Sequence, residues 1–318
     1  MKHKYSAIKN KNYKFLPALV VVLVVTAIGL KLLLGSHAAA PQASTAEAEN
    51  GTLGGTTAQV ADASASGGKA LKFGTTGGGS GGSGPSGQAM PVGSVTSDGH
   101  TWTQTFSDDF TTAVPTGSFP GSTYGTKWSV YDEGWPDTSG NGQQCPNEVL
   151  STTGGMLQWH LYTPSGAKPC VADPEPNNHQ TYGRYSVRMK ADSVAGWAIA
   201  YLLWPDSNNW GDGETDWPEA VMNSTSGVNG HATGSNPAEN VFQADSHQGF
   251  TSWHTYTTEW EPNKINYYID NTLLGTQTTY IPTVARHWVL QVDTAYGSIP
   301  SPSATANINV DWVSVWSY

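Results

Sequence analysis

Short stretches that alternate hydrophobic and polar residues recur from about residue 100 onward, separated by clusters of Gly, Pro, Asn and Asp. The last stretch is regular: Ile308, Val310 and every second residue to Trp316 share one face of an extended strand. Asp270-Asn271 tolerates a positive φ and predicts a hairpin turn. Since no helical stripe of useful length follows residue 40, the pattern predicts an all-β sandwich or barrel. The predicted strands are 182–189, 197–204, 214–222, 253–260, 265–270, 288–293 and 308–316.

The stretch Leu203 to Glu219, LWPDSNNWGDGETDWPE, concentrates carboxylates and aromatic residues. Glu214 and Asp216 are two residues apart and face the same side of a strand, whereas Glu219 has the opposite parity. Pro218 indicates a β-bulge, whose extra residue returns Glu219 to the face of the other two acids. The tryptophans of this stretch are Trp204, Trp210 and Trp217. Three acids on one face among aromatic rings that can stack on sugars are typical of a glycosidase active site.

Distances support this interpretation. With the bulge absorbing one residue, the Cα atoms of Glu214 and Glu219 are about 13 Å apart, at about 3.3 Å per strand residue. Side chains that lean together along a curved strand bring the carboxyl groups to about 5–5.5 Å, as in a retaining glycosidase, whereas an inverting one needs about 6.5–9.5 Å. Because Gly211, Asp212 and Gly213 are turn-like, a solvated acidic loop is the alternative.

The first 40 residues combine a lysine-rich start with a nearly continuous apolar run from Phe15 to Leu34. Lys31 interrupts this run, so its unbroken part, residues 15–30, is longer than the core of about 7–15 residues in a signal peptide and shorter than the roughly 17–25 residues of a membrane span. Small residues at 38–40 offer a cleavage site. Residues 1–40 are therefore interpreted as a signal peptide or an uncleaved membrane anchor, and the bulk of the chain as extracytoplasmic, secreted or anchored by residues 15–34. A buried core helix is the remaining alternative.

Charge and cysteine content narrow the function further. Six of the 15 basic residues are lysines before residue 41, in a segment that contains no acidic residue. The rest of the chain therefore carries nine basic and 25 acidic residues, a formal charge of −16. This balance argues against nucleic acid as a partner and is compatible with a neutral polysaccharide. Cys145 and Cys170 lie in loop-like surroundings, and in an oxidising compartment we expect a disulfide between them. A pair of free thiols is the alternative.

Composition also divides the chain into segments. Residues 75–99 contain a Gly/Ser-rich spacer and are interpreted as a flexible linker. All 13 tryptophans lie in 102–316, so residues 100–318 form the domain that carries the function. Within 41–74, the sequences EAENG at 47–51 and ASGGKA at 65–70 resemble the opening of carbohydrate-binding modules of families 6 and 35. So short a segment cannot enclose a core, and we interpret it as a remnant without a sugar-binding role.

The sequence ETDWPE at 214–219 resembles the E-x-D-x-x-E signature of glycoside hydrolase family 16. Three flanking stretches, YGRYSVRM at 182–189, AYLLWP at 200–205 and WHTYTTEW at 253–260, are similar to the strands that surround that signature. The resemblance covers about residues 100–318. It implies a β-jelly-roll sandwich of two curved antiparallel sheets, with sugar bound along the concave face.

By position in the motif, the resemblance implies that Glu214 is the nucleophile, Glu219 the general acid/base and Asp216 the residue between them that tunes their ionisation. This agrees with the chemistry, because the nucleophile must stay ionised while the acid stays protonated. The resemblance also implies sugar contacts for Arg184 and His231, a cross-strand pairing being the alternative for Arg184. The candidates for stacking on sugar rings are Trp204, Trp210 and Trp217, with burial in the core as the alternative for each.

The resemblance implies a structural calcium near the chain ends of the sandwich, with Asp311 as a candidate ligand. For catalysis no cofactor is expected, since the sequence contains neither an H-E-x-x-H motif nor a Cys/His cluster. Ala220 follows the acid/base where many relatives have Gly or a larger residue. The resemblance therefore does not assign the neighbouring sugar subsite or the substrate.

The sequence therefore predicts an endo-acting, retaining glycoside hydrolase that cleaves β-1,3 or β-1,3/1,4-glucan by double displacement. We expect a monomer, in contact with a membrane only through the N-terminal segment if that is uncleaved. The alternatives are a non-catalytic sugar-binding jelly roll and a glucan transglycosylase. Galactans and other β-linked polymers share the same catalytic strand, and loops such as 131–147 and 163–180 select among them.

Overall fold

The computed structural model describes residues 57–61, 69–73, 84–224, 229–233, 241–295 and 298–318. The chain divides into two units, Met1–Phe73 and Gly74–Tyr318. In the first, β1 (Thr57–Ala61) pairs antiparallel with β2 (Lys69–Phe73). The predicted signal peptide or anchor at 1–40 lies outside the described residues. Across the described ranges, no helix has both the length and the apolar character needed to cross a bilayer.

The second unit contains a nine-stranded antiparallel sheet, called the outer sheet below. Its strands are β3 (Val95–Ser97), β4 (His100–Asp108), β7 (Leu150–Thr153), β8 (Met156–Tyr162), β12 (Gly183–Ala191), β17 (His254–Glu261), β18 (Lys264–Ile269), β19 (Thr272–Gln277) and β21 (Thr305–Ser317). The order across the sheet is β19-β18-β17-β12-β21-β4-β3, with β8 also paired to β21 and β7 to β8.

A six-stranded antiparallel sheet, called the cleft sheet, packs on the outer sheet. Its strands are β11 (His179–Gln180), β13 (Trp197–Pro205), β14 (Glu214–Val221), β15 (Asn229–Thr233), β16 (Phe242–Asp245) and β20 (Arg286–Thr294). They are arranged β11-β20-β13-β14-β15-β16.

Short elements complete the unit. The strands among them are β5 (Trp128–Val130), paired with β10 (Pro174–Pro176), and β6 (Gln143–Gln144), paired in parallel with β9 (Cys170–Val171). The helices are α1 (Gly121–Tyr124), α2 (Pro146–Val149) and a 3-10 turn at Trp210–Asp212.

Alternation along the strands explains why the two sheets form one core. On β13, Trp197, Ile199, Tyr201 and Leu203 point into the main hydrophobic cluster, whereas the residues between them do not. The predicted all-β sandwich of two antiparallel sheets is confirmed. All seven strands predicted above are present, with ends displaced by at most three residues. The predicted hairpin is also confirmed, since only Asp270-Asn271, both at positive φ, separates β18 from β19.

The predicted alternation of the last strand is wrong beyond residue 310. Asp311 is a bulge residue of β21, because its two neighbours pair with consecutive residues of β12. Before the bulge Val310 faces the core, and after it Val313 and Val315 do. A single extra residue thus moves the rest of the strand to the opposite phase.

The linker boundary predicted at residue 99 also needs correction, because the chain packs on the outer sheet from Gly84 onward. The amide and hydroxyl of Ser86 both donate to the Asp311 carboxylate, and Gln104 Nε2 donates to the Pro91 carbonyl at 2.9 Å. A Cβ on Gly84 would lie 2.3 Å from Asp311 Oδ1. A small residue at this position therefore allows close approach to the sandwich.

Candidate active site

The acidic strand β14 carries a β-bulge between Asp216 and Glu219. On the neighbouring β13, Ala200 lies opposite Glu219 and Leu202 lies opposite Asp216, so three steps of β14 face two steps of β13. The pairing of β14 with β15 shifts at the same place, and the Trp217–Pro218 peptide is cis. The bulge predicted from the proline is confirmed, and it brings Glu219 back to the face of the other acids.

A cleft of about 500 Å³ opens on the face of the cleft sheet that points away from the core, and Glu214, Asp216 and Glu219 all line it. Asp216 is 1% exposed, whereas the two glutamates are partly exposed. The other lining residues are Tyr131, Thr138, Ala200, Trp204, Trp210 and Gln291. Two accessible carboxylates with a buried one between them thus meet in a cavity of ligand size.

Trp210 is both exposed and tied to the acidic strand. The residue is 43% exposed, and its Nε1–H donates to Glu214 Oε2 at 2.9 Å. The 3-10 turn that carries it is fixed by Asn209, whose side-chain oxygen accepts from the Gly211 amide at 3.1 Å. Trp204 lies nearby and donates to Asn208 Oδ1 at 3.2 Å. Both tryptophans therefore stand where the sequence placed them, at the cleft.

A buried cation lies behind the acidic strand. Arg286 is 0% exposed, and its Nη1 donates to Thr215 Oγ1 at 2.8 Å while its guanidinium stacks over the Trp260 ring. Burial lowers the pKa of Arg286 to about 10, and two tyrosine hydroxyls and the carboxylates of Asp216 and Glu214 oppose that shift. Arg286 is thus charged at neutral pH, and a cation held there favours ionised carboxylates on the other face of the strand.

The loop 131–147 forms a wall of the cleft, and buried carboxylates fix it to β20. Asp137 Oδ2 accepts from the Thr294 amide at 2.9 Å, and Asp293 Oδ1 accepts from the Thr138 amide at 3.2 Å. Asp173 Oδ1, below the same loop, accepts from the Val292 amide at 2.9 Å. These carboxylates hold the backbone of the wall that presents Tyr131 and Thr138 to the cleft.

Cys145 and Cys170 form a disulfide with a Cα–Cα distance of 5.3 Å. Both residues are fully buried. The bond connects the end of the 131–147 loop to β9, next to the pairing of β6 with β9.

Trp217, expected to be a sugar-stacking candidate, is a core residue. It is 2% exposed and belongs to the main hydrophobic cluster. Its Nε1 donates to the Tyr268 carbonyl at 2.9 Å, and its ring packs edge-on against Tyr256 and Tyr267. The parity that turns Glu214 and Asp216 toward the cleft turns the residue after them toward the core.

Arg184 is likewise not at the cleft. It lies on β12 of the outer sheet, directly opposite Glu259 of β17, and its Nη1 forms an ion pair with that carboxylate. Its guanidinium also stacks over the Trp316 ring at 5.5 Å. Because Tyr185 beside it points into the core, Arg184 faces away from the cleft sheet. The predicted sugar contact is wrong, and the cross-strand pairing is what the structure contains.

Two predicted site residues stay predictions. The backbone of His231 lies on β15 opposite Asp216, but its side chain is outside the described residues. Asp311 accepts hydrogen bonds from Ser86, and Arg188 Nε donates to the same hydroxyl at 2.6 Å. Both hydrogen bonds from Ser86 reach Asp311 Oδ2, and calcium at Asp311 stays a prediction.

Sequence reasoning missed three polar residues that line the cleft, Tyr131, Thr138 and Gln291. The first two belong to the 131–147 loop, whose role in substrate selection was predicted without singling out residues. Gln291 lies opposite Ala200 on a predicted strand, but alternation alone does not say which face of the sheet holds the ligand. Nothing in the sequence indicated that Arg286 is buried, since a charged residue at the end of a strand is ordinarily exposed.

Residues 156–312 match the family model "Glycosyl hydrolases family 16". This matched region belongs to glycosyl hydrolase family 16. It contains the acidic strand, both flanking strands of the cleft sheet and most of the outer sheet.

Among characterised proteins, the chain is 28% identical over 150 residues to a "Beta-glucanase" of Paenibacillus polymyxa, covering 43% of this chain and 58% of the relative. A "Beta-glucanase" of Bacillus subtilis (strain 168) is 28% identical over 143 residues, covering 43% and 57% of the two chains. The alignment thus spans less than two thirds of these relatives.

Solved structures share the fold. The Bacillus licheniformis beta-glucanase superposes with a TM-score of 0.55 at 20% identity, covering 72% of this chain and all of the other. The laminarinase from Rhodothermus marinus superposes with a TM-score of 0.57 at 20% identity, covering 68% and 97%. A non-specific endo-beta-1,3(4)-glucanase gives a TM-score of 0.58 at 16% identity, covering 68% and 91%.

Proposed function

We propose that the domain is an endo-acting glycoside hydrolase that cleaves β-1,3- or mixed β-1,3/1,4-glucan with retention of anomeric configuration. The observation that carries the proposal is the bulged strand, which brings Glu214, Asp216 and Glu219 to one face and into one cleft. Two carboxylates on one side of a strand can act on opposite sides of a glycosidic bond, which is the requirement for double displacement.

In this mechanism Glu214 attacks the anomeric carbon and forms a glycosyl-enzyme bond, while Glu219 gives its proton to the departing sugar oxygen. Glu219 then removes a proton from water, and the resulting hydroxide displaces Glu214 with a second inversion. The indole N–H of Trp210 and the charge of Arg286 behind the strand both favour the ionised form of Glu214. Asp216 is buried between the two glutamates, where its carboxyl group can act on the ionisation of both.

The choice of β-glucan as substrate is supported by the cleft and by the relatives. Tyr131, Trp204 and Trp210 give the cleft aromatic surfaces for pyranose rings, and Thr138 and Gln291 give it polar groups for hydroxyls. The relatives are named beta-glucanase, endo-beta-1,3(4)-glucanase and laminarinase. A long polymer needs an open groove, and this cleft opens along a sheet face rather than inside a closed barrel.

The test is hydrolysis of laminarin and of mixed-linkage β-glucan by Glu214→Gln. We expect this variant to lose at least about a thousandfold in kcat/KM while its circular dichroism stays that of the parent, because the amide cannot form the covalent intermediate. Glu148→Gln is the matched control and should keep full activity, because Glu148 is exposed on α2 and its carboxylate accepts from the Tyr162 hydroxyl of the outer sheet. Undiminished activity in Glu214→Gln would reject the proposal.

Azide separates the two roles. In Glu214→Gly, azide can fill the space of the missing nucleophile and form a glycosyl azide of inverted configuration, whereas in Glu219→Ala it attacks the glycosyl-enzyme and gives the retained one. The configuration of the two products by NMR assigns the residues. Products longer than the substrate would mark transglycosylation, and binding without any bond cleavage would mark a sugar-binding module.

We propose further that the domain works outside the cytoplasm. The Cys145–Cys170 disulfide supports this, because such bonds persist in oxidising compartments. N-terminal sequencing of exported protein distinguishes a cleaved signal peptide, with a start near residue 41, from an intact anchor.

A further inference from the structure

Two histidines and an aspartate from three separate segments meet at one end of the cleft sheet. His179 lies on the edge strand β11 directly opposite His287 of β20. Asp206 follows β13, and its amide donates to the Ala285 carbonyl at 3.0 Å. His287 is also the register partner of Trp204, a residue of the cleft. The cluster thus adjoins the cleft but shares no residue with the acidic strand.

The side chains converge on one carboxylate oxygen. Asp206 Oδ1 lies 2.8 Å from His287 Nδ1 and 3.0 Å from His179 Nδ1. The ligand atoms of all three residues lie within 4.8 Å of one another. The two imidazole rings are 5.4 Å apart between centroids. His179 and Asp206 are open to solvent, so the cluster is accessible to an ion.

We propose that His179, Asp206 and His287 form a binding site for a divalent transition metal of the Zn²⁺ type. Two imidazole nitrogens and one carboxylate oxygen are a donor set that Zn²⁺ accepts, with a fourth position left for water. Ligand atoms about 2.0–2.1 Å from a tetrahedral zinc lie roughly 3.3 Å apart. The distances from Asp206 Oδ1 to the two nitrogens therefore need to widen by only a few tenths of an ångström.

A fourth residue supports the metal-bound form of His287. When a metal occupies Nδ1, the ring proton moves to Nε2, and that atom faces Glu175 Oε1 at 3.8 Å. A carboxylate that receives the second ring N–H is the usual outer partner of a metal-bound histidine. Glu175 and Asp206 place two carboxyl groups beside the two imidazole rings, an arrangement that suits a dication. Glu175 also contacts the Tyr131 hydroxyl, so this outer partner reaches the cleft wall.

The metal would join the edge strand β11, the turn after β13 and strand β20. That turn contains Asn208, which accepts the hydrogen bond from Trp204. Bound metal is therefore expected to stabilise this end of the cleft rather than to take part in bond cleavage. The site is independent of the proposed hydrolysis and can be tested without any sugar.

The experiment uses the full-length chain without an affinity tag, stripped of metal with a chelator. Zn²⁺ is titrated by calorimetry, and Co²⁺ is titrated while its visible absorption reports tetrahedral nitrogen and oxygen coordination. We expect saturable binding of one ion per chain and a rise of the unfolding temperature with Zn²⁺. His179→Gln should weaken binding at least about tenfold, the loss that even an outer-partner substitution causes. The glutamine is a poor ligand, and His179 is exposed enough for the fold to tolerate it.

His160→Gln is the matched control. His160 is another exposed histidine, on β8 of the outer sheet, where its Nδ1 contacts Asn307 Oδ1 at 2.9 Å. Its substitution should leave the affinity unchanged. Absence of saturable binding in the parent protein, or equal affinity in parent and His179→Gln, would show that the cluster is a hydrogen-bonded trio and overturn the proposal. His287→Gln gives a second measurement, and the thermal shift by Zn²⁺ should disappear in it.

Discussion

Two sets of three carboxylates lie near the same cleft and have different roles. Glu214, Asp216 and Glu219 lie within six residues on one strand and line the cavity. Asp137, Asp173 and Asp293 come from distant parts of the chain and are buried behind the wall loop, at 4%, 2% and 3% exposure. The first set, called the cleft set below, faces the cavity. Each member of the second set, called the buried set, accepts a hydrogen bond from a backbone amide.

The buried set shows how differently three neighbouring carboxylates can titrate. Burial acts to raise the pKa of Asp137, but hydrogen bonds from the Thr294 hydroxyl and amide outweigh it and lower the pKa. Burial and the nearby Asp137 charge raise the pKa of Asp293 to about 6. Burial and the Asp293 charge raise the pKa of Asp173. Proximity of acids therefore does not by itself identify a catalytic site, and what decides is whether the carboxylates face a cavity or the backbone.

The largest expected difference between the sets is in activity. Glu219→Gln should lower kcat/KM on β-glucan by about 10²–10⁴, the contribution of a general acid/base, without changing the urea midpoint of unfolding. An aryl glycoside whose leaving group needs no proton should lose less in the first step than the polymer does. Equal losses on both substrates would contradict the role of Glu219 as proton donor.

The cleft set could be predicted because its information is local. Strand parity, one proline and neighbouring tryptophans were enough to place Glu214, Asp216 and Glu219 on one face, and the bulge confirms that argument. The same parity assigns Trp217 to the core, yet its closeness in sequence to the acids made it a stacking candidate. Alternation predicts which face of a strand each residue occupies. It was applied to the acids but not to the aromatic residue between them.

The buried set could not be predicted, because nothing in the sequence connects positions 137, 173 and 293. Their roles depend on which backbone amides the folded loop brings to them, and that pairing exists only in three dimensions. The sugar contact of Arg184, which the family resemblance implied, failed for a related reason: β12 belongs to the outer sheet, although the next two strands, β13 and β14, belong to the cleft sheet. The bulge at Asp311 gave no signal either, since a regular alternation continued through it.

The buried set should matter most for stability. Asp137→Ala removes the acceptor of the Thr294 amide and hydroxyl, both buried, and should lower the free energy of unfolding by roughly 3–4 kcal/mol. Urea unfolding at pH 7 measures this. Asp132→Ala, an exposed aspartate of the same loop, should change stability by less than about 0.5 kcal/mol. Comparable effects of the two substitutions would show that the buried hydrogen bonds do not hold the wall.

The contribution of Asp293 to the free energy of unfolding depends on pH. Its pKa in the folded state is about 6 against an ordinary 3.8, so between these values the folded state binds more protons than the unfolded one. Stability therefore falls as pH rises through this window, by up to about 3 kcal/mol for this group.

Asp293→Asn keeps the acceptor for the Thr138 amide and removes the charge that also raises the pKa of Asp173. The variant should gain little at pH 4 and be more stable than the parent at pH 7, as urea unfolding at both values would measure. A gain of the same size at both values would mean that the carboxylate is not the titrating group.

The smallest expected effect tests the hydrogen bond that connects the cleft set to its aromatic neighbour. Trp210→Phe keeps a ring for stacking but loses the N–H that reaches Glu214 Oε2, and should lower kcat/KM about three- to tenfold, the net value of one ordinary hydrogen bond. Because Trp210 is exposed, the free energy of unfolding should stay the same. Trp217→Phe is the matched variant in the core. It leaves the Tyr268 carbonyl without its donor, and should cost about 1–3 kcal/mol of stability. If Trp210→Phe instead destabilised the protein and left kcat/KM unchanged, the tryptophan would belong with the buried set and the nucleophile would need another partner to stay ionised.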